Sequence, residues 1–170
     1  WAVEVRELGR TNWVELQRYS GSSLGGWARP SLDLRAYGGK TIQLALRFWS
    51  DGWAVQYSGW YVDELEIETG ARTVPLPQQV ESFESGWAGW YTDFGVWQIG
   101  QPSSGPEKSH SGQNCAATVL DGDYPGYANA RLISPAVTVP AADQNPRLRF
   151  WHWLESQPGY DIGAVEVREL

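Results

Sequence analysis

The sequence predicts an all-β fold, a sandwich of antiparallel strands. One observation is composition: the 170 residues include 11 Trp, 8 Tyr and 4 Phe beside 19 Gly and 10 Pro. Aromatic residues favour strands, whereas Gly and Pro favour the turns between them. The other observation is a repeated alternation of apolar and polar residues, interrupted by Gly- and Pro-rich stretches at the spacing of a sandwich. No long stretch carries the apolar stripe of a helix.

Four segments carry the alternation most clearly. The first is AVEVREL, where Val3 and Val5 alternate with Glu4 and Arg6 as in a half-buried strand. The others also place aliphatic side chains mainly on one face: TIQLALRFWS (41–50), GWYVDELEIE (59–68) and PRLRFWHWLE (146–155). Turns are predicted between strands at SGSSLGG (20–26), YGGK (37–40), SDGW (50–53), QPSSGP (101–106), DGDYPGY (121–127) and QPGYD (157–161).

The segment AVEVREL occurs twice, at residues 2–8 and again at residues 164–170. We name these segments the first copy and the second copy. An identical run of seven residues at an offset of 162 indicates a long repeat, and we expect the chain to be a window on a tandem array. The predicted assembly strand consists of the apolar positions of both copies, namely Ala2, Val3, Val5, Leu8, Ala164, Val165, Val167 and Leu170.

One stretch has the composition of a linker. Residues 69–79, TGARTVPLPQQ, show little alternation and contain Pro75 and Pro77. The predicted organisation is therefore residues 1–68, a linker at 69–79, and residues 80–170. Each flanking part would leave an apolar sheet face uncovered by itself, so we interpret each as half of a module.

Charge and cysteine content exclude several classes of partner and site. The formal net charge is −7 and the basic residues form no cluster, which argues against nucleic acid and against an anionic membrane surface. No apolar run approaches the roughly 20 residues of a spanning helix, so no membrane insertion is expected. Cys115 is the single cysteine, which excludes an internal disulfide and a cysteine-based metal site.

Catalytic motifs are missing from the sequence. The two histidines, His110 and His152, stand outside any His-Glu-x-x-His signature, and no Gly-x-Ser-x-Gly motif occurs. We predict that the chain is not an enzyme and that His152 is a hydrogen-bonded core residue. A glycosidase is the remaining enzymatic alternative, because a pair of facing carboxylates has no spacing signature.

Several motifs resemble those of the MAM-like and choice-of-anchor jelly-roll modules, which include accessory domains of immune-inhibitor-A-like secreted peptidases. They are VESFESGWAGWYTD (80–93), ARLISPAVTV (130–139), RLRFWHWLESQPGYDIGAVEV (147–167) and GWYVDELEI (59–67). In that family the segment from Val80 comes first. The resemblance therefore implies an antiparallel jelly-roll sandwich formed from residues 80–170 followed by residues 1–70, supplied by the next copy, a neighbour or permuted closure. It also implies an extracellular or cell-surface location in a bacterium.

The resemblance further implies a structural calcium ion that joins the first strand to the last. Hard cations need several converging oxygen atoms. The candidate ligands are Glu84, Asp121, Asp123 and Asp63. The run Asp121-Gly-Asp123 starts like a calcium loop but has no third acid at alternate spacing, and the alternative is that these acids are turn formers on the surface.

Three tryptophans fall opposite the aliphatic faces of their strands, namely Trp49, Trp151 and Trp153. Exposed rings of this kind would stack on sugars or on a neighbouring protein. The alternative is that they fill the sandwich or the seam between modules.

The expected function is a non-catalytic structural repeat of an extracellular polymer, filament or adhesin. Its partners would be copies of itself, joined as tandem modules or by strand exchange, because two identical segments compete for one position in the sheet. A head-to-tail exchange does not close and builds a fibre. The alternative function is a carbohydrate-binding module of a secreted hydrolase, with the three tryptophans as the platform for polysaccharide.

Overall fold

The computed structural model describes residues 12–53 and 57–170, and this part of the chain is all-β. Two antiparallel sheets of six strands each pack face to face as a sandwich, and they do not close into a barrel. The predicted fold class is therefore confirmed.

The strands are short and follow one another in chain order with two single-turn 3₁₀ helices between them. They are β1 (Val14–Tyr19), β2 (Ser31–Asp33), β3 (Thr41–Trp49), β4 (Gly59–Thr69), β5 (Leu76–Glu81), β6 (Tyr91–Thr92), β7 (Gln98–Gly100), β8 (Cys115–Ala117), β9 (Asn129–Ile133), β10 (Val137–Thr138), β11 (Arg147–Glu155) and β12 (Ile162–Glu169). The 3₁₀ helices are Arg35–Tyr37 and Ala142–Gln144.

Each sheet contains strands from both halves of the chain. Sheet A has the order β1-β12-β3-β9-β6, and β10 also pairs with β3. Sheet B has the order β2-β11-β4-β8-β7, and β5 also pairs with β4. In sheet A, β1 and β3 alternate with β12 and β9, and in sheet B, β2 and β4 alternate with β11 and β8, so strands of the two halves of the chain pair with each other. The two halves close on each other within one chain, which is the permuted closure among the predicted arrangements.

The second copy forms most of β12, which lies between β1 and β3. Val165 and Val167 are fully buried and stand opposite Leu46 and Leu44 of β3. The period-2 alternation of AVEVREL accounts for this placement, because it presents both valines to the core and the intervening polar residues to the outer face. The first copy, with Ala2, Val3, Val5 and Leu8, lies outside the described residues.

The core between the sheets is rich in aromatic rings. Trp60 is fully buried and packs against Tyr19 and Trp97, with ring centroids 5.9 and 5.8 Å away. Its indole N–H donates to Nδ1 of His152 at 3.2 Å. Burial lowers the pKa of His152 to about 4, so the ring is neutral and accepts this bond. The prediction of a hydrogen-bonded core histidine is confirmed.

The segment predicted as a linker forms a hairpin with its neighbours. Residues 70–75 connect β4 to β5, and Thr69 stands opposite Leu76 at the start of the pairing. Part of the segment 69–79 therefore belongs to sheet B. A role for it between successive modules stays a prediction.

The second copy is preceded by a glycine that the packing requires. A Cβ atom on Gly163 would lie 2.7 Å from Cε3 of the buried Trp60 ring. We expect Gly163→Ala to lower the free energy of unfolding by about 1–3 kcal/mol, since overpacking forces the ring or the strand to move. The matched control is Gly95→Ala, because nothing lies within 4 Å of a Cβ at that position. Urea denaturation of both variants measures the difference, and equal stabilities would contradict the packing argument.

Candidate functional site

Two of the predicted calcium ligands meet at one loop on the outer face of sheet B. Asp63 of β4 is fully buried. Its Oδ1 accepts the backbone N–H of Glu64 at 2.7 Å, and its Oδ2 accepts that of Ser111 at 2.9 Å. Ser111 belongs to the loop of residues 109–114, which we name the carboxylate loop. The loop therefore reaches a carboxylate 48 positions earlier in the chain.

Glu84 approaches the same loop from the segment after β5. Its Oε1 accepts the backbone N–H groups of Gln113 and Asn114 at 2.9 and 2.8 Å. A Cβ on Gly112 would lie 2.5 Å from that oxygen, and Gly112 has a φ of +58°. Only glycine suits this position, because both the close approach and the left-handed backbone penalise a side chain. The carboxylate loop thus contacts Asp63 and Glu84, which come from the two halves of the chain.

A β-bulge directs the acids of β4. Asp63 stands opposite Trp151 and Glu66 opposite Arg149, so β4 has two residues between the pairs where β11 has one. Glu64 takes up this extra length with a φ of +48°. Bulges of this kind change the direction of a side chain next to a site.

The bulge also places Glu64 beside His110, a residue that the sequence did not predict at this site. Oε2 of Glu64 lies 2.7 Å from Nδ1 of His110, whose ring stacks on Trp151 at a centroid distance of 3.9 Å. No motif could have revealed this contact, because the two residues stand 46 positions apart. The site is therefore lined by one histidine as well as by acids.

Burial dominates the electrostatics of the site. Burial raises the pKa of Asp63 to about 6, although two backbone N–H groups stabilise its charged form. Burial, assisted by the charges of Asp63 and Glu84, also raises the pKa of the Cys115 thiol to about 12. The thiol is consequently protonated and unreactive.

Asp121 and Asp123 lie beside a different group. Asp121 Oδ1 accepts the hydroxyl of Ser103 at 3.0 Å. Burial raises the pKa of Tyr61 to about 12, and the charges of Asp123 and Asp121 contribute to that shift. Among residues 12–53 and 57–170, no group of three or more His, Cys, Asp or Glu side chains is arranged to hold a metal ion. The four predicted acids do not form one cluster.

Two carboxylates contact this loop, that of Asp63, whose two oxygens each accept a backbone N–H, and that of Glu84, which is exposed. Asp63 and Glu84 share the carboxylate loop, and Oε2 of Glu84 accepts none of the loop N–H bonds that Oε1 accepts. Calcium takes six to eight oxygen ligands, which backbone carbonyls and water commonly complete. In such a site these two carboxylates would hold the ion, and its charge would stabilise the ionised form of Asp63.

The three predicted platform tryptophans lie on two different sheets. Trp49 belongs to β3 of sheet A and is 38% exposed, whereas Trp151 and Trp153 belong to β11 of sheet B. Trp153 is only 6% exposed and packs edge-on against Tyr61 at 5.4 Å. Trp151 is half-buried beneath His110. The structure does not bring the three rings together.

The predicted assembly residues of the second copy divide between core and surface. Ala164, Val165 and Val167 are buried within β12. Leu170 follows the strand and is 65% exposed, while its backbone N–H donates to the carbonyl of Thr41 at 3.0 Å.

The chain is similar to part of Bacillopeptidase F from Bacillus subtilis (strain 168), a secreted protease. The two are 32% identical over 95 residues, which cover 56% of this chain and 6% of Bacillopeptidase F. No family model matches the chain, and no solved structure matches it. In the described part of the chain, no helix has the length and apolar character needed to cross a membrane. The similarity is consistent with an accessory domain of an extracellular protein, and the likeness to MAM-like modules stays a resemblance.

Burial of Asp63 predicts a specific pH dependence. The folded pKa of about 6 exceeds the ordinary value of 3.8, so the folded state binds a proton that the unfolded chain releases. The contribution of Asp63 to stability is therefore lost as the pH rises from about 4 to about 7, by up to about 3 kcal/mol. His152, with its lowered pKa, acts in the opposite direction over a similar range. The change that isolates Asp63 is Asp63→Asn.

We expect the stability of Asp63→Asn relative to the wild type to increase between pH 4.5 and pH 7. Urea denaturation with chelator at both pH values measures this difference, and His152 contributes equally to both proteins. A difference that is independent of pH would contradict the burial argument.

Proposed function

We propose that the chain is a non-catalytic structural module of an extracellular bacterial protein, and that its copies assemble in tandem or head to tail through the duplicated segment. The observation that carries the proposal is the position of the second copy. Both edges of β12 are paired, and its apolar face lies in the core. Sheet A thus has one central position for a segment that the sequence contains twice.

The packing favours the second copy for that position. The residue before the second copy is Gly163, whereas the residue before the first copy is Trp1. Since even a Cβ at Gly163 would come within 2.7 Å of Trp60, an indole there would collide with the core. The first copy consequently keeps the sequence of a strand without having the central position, and it is the segment that we assign to assembly.

Strand β1 offers an acceptor for such a segment. Among residues 12–53 and 57–170, β1 pairs with β12 alone, so the other edge of Val14–Tyr19 has no strand partner within the described residues. An extended segment adds to an open edge through main-chain hydrogen bonds. Addition of the first copy of one molecule to β1 of the next repeats without closing, and this produces a filament.

A calcium ion between Asp63 and Glu84 belongs to the same proposal. Asp63 comes from residues 12–69 and Glu84 from residues 80–170, so the ion would join the two halves of the sandwich. The raised pKa of Asp63 supports this role, because a cation would relieve the cost of burying its charge.

Two groups that often act in catalysis are engaged or shielded in the structure. Cys115 is buried with a raised pKa, and His152 is buried with its Nδ1 occupied by Trp60. The carbohydrate-binding alternative in its predicted form is not favoured, since its three tryptophans do not share a surface.

The assembly proposal is tested by placing the same substitutions in each copy. We expect Val3→Asp with Val5→Asp to leave the stability unchanged and to convert multimers into monomers, because charges on the apolar face prevent strand addition. We expect Val165→Asp with Val167→Asp to unfold the protein, since both valines are fully buried. Light scattering over a range of protein concentrations, with thermal unfolding, measures both outcomes. A wild-type chain that is monomeric at every concentration would contradict the assembly proposal.

The calcium proposal is tested by thermal unfolding at pH 7. We expect calcium to raise the melting temperature of the wild type, and Glu84→Gln to abolish that increase because it removes one of the two carboxylate ligands. Asp121→Asn is the control and should retain the full increase, since Asp121 belongs to the group beside Tyr61. Equal responses of the two variants, or no response of the wild type, would refute the site.

A further inference from the structure

The outer face of sheet A contains a cleft that is separate from Asp63 and Glu84 and that has Leu170 at its lining. Its volume is about 780 Å³, within the usual range for ligand-binding clefts. Aromatic and charged side chains line it together, notably Trp13, Tyr91, Asp93, Phe94, Arg131 and Arg168. We name it the sheet A cleft.

The side chains of the cleft are held in place by one another. The ring of Trp13 lies 4.6 Å from the guanidinium carbon of Arg168 and 5.7 Å from that of Arg131. Nε of Arg131 donates to Oε2 of Glu166 at 2.6 Å, and its Nη1 pairs with Oδ2 of Asp93 at 3.1 Å. These contacts fix the orientation of the ring before any ligand arrives, which reduces the entropic cost of binding.

Arg168 is bound to neutral acceptors. Its Nε donates to Oε1 of Gln43 at 2.9 Å, and its Nη2 donates to the hydroxyl of Tyr91 at 3.2 Å. Within the described residues, no carboxylate forms a salt bridge with Arg168. The cleft therefore offers guanidinium donors together with the carboxylate of Asp93 as an acceptor.

The aromatic rings continue beyond the cleft along the surface. Phe94 is 67% exposed and lines both the cleft and an adjacent hollow of about 360 Å³. Tyr127 lines that hollow and is 83% exposed. Two neighbouring concavities that share an aromatic ring suit an extended ligand with repeated flat units.

We propose that the sheet A cleft binds a neutral polysaccharide. Sugar rings present apolar C–H faces that pack on aromatic rings, and each hydroxyl both donates and accepts hydrogen bonds. Among the charged residues that line the cleft, two arginines, Arg131 and Arg168, are balanced by two acids, Asp93 and Glu169, and Arg131 also pairs with Glu166. This local balance, with the net charge of −7 on the whole chain, disfavours a polyanion and matches an uncharged ligand. The inference is independent of the assembly proposal, because it needs only the folded sandwich.

The test uses the full chain and calorimetric titration with neutral hexasaccharides of glucose, xylose, mannose, galactose and N-acetylglucosamine. Polygalacturonate is the charged comparison. We expect at least one neutral hexasaccharide to bind and polygalacturonate not to bind. Binding of polygalacturonate alone, or of no probe in the panel, would overturn the proposal.

Variants locate the binding site. We expect Trp13→Ala to weaken binding by about tenfold, in line with the loss of one stacked ring. Phe94→Ala should also weaken binding, and its exposure means that the fold does not depend on it. Trp151→Ala on sheet B is the matched control and should bind as the wild type does. Weakening by Trp151→Ala with no effect of Phe94→Ala would assign binding to sheet B and refute the cleft.

Discussion

The structure depends on the pairing of β12 with β1 on one side and β3 on the other. This strand joins the first half of the chain to the second within a single sheet, and it supplies Val165 and Val167 to the core. Without β12, the facing edges of β1 and β3 would be unpaired. The aromatic residues of the core around Trp60 would then be exposed to solvent on this side. The close contact of Gly163 with that ring shows how little space the position leaves for another segment.

Closure of the sandwich also creates the two outer surfaces. On sheet B, Asp63 and Glu84 come from opposite halves of the chain and contact one loop because β4 pairs with both β5 and β8. The carboxylate loop binds both through backbone N–H groups, with Asp63 buried and Glu84 exposed. On sheet A the outer residues of β12, including Glu166 and Arg168, form a network of hydrogen bonds and ion pairs beside exposed aromatic rings.

Period-2 alternation predicted the strands correctly where it was strong, as in β3, β4, β11 and β12. It also assigned His152 to the core, because the residue falls between the apolar positions Phe150 and Leu154. Alternation does not show which sheet a strand joins. For this reason the sequence predicted Trp49 and Trp151 on one surface, although the structure places them on two different sheets. The separation of Asp121 from Asp63 was equally inaccessible, because the carboxylate loop selects its partners through backbone contacts that carry no spacing signature.

The most direct measurement is disulfide formation between β3 and each copy of the duplicated segment. Arg47 stands opposite Ala164, and residues paired across antiparallel strands lie within disulfide range. Cysteines at positions 47 and 164 should form a bond within one chain under mild oxidation, whereas cysteines at positions 47 and 2, the equivalent place in the first copy, should not. Equal intrachain bonding by the two pairs would show that the copies share the central position, and it would contradict the assignment of that position to the second copy.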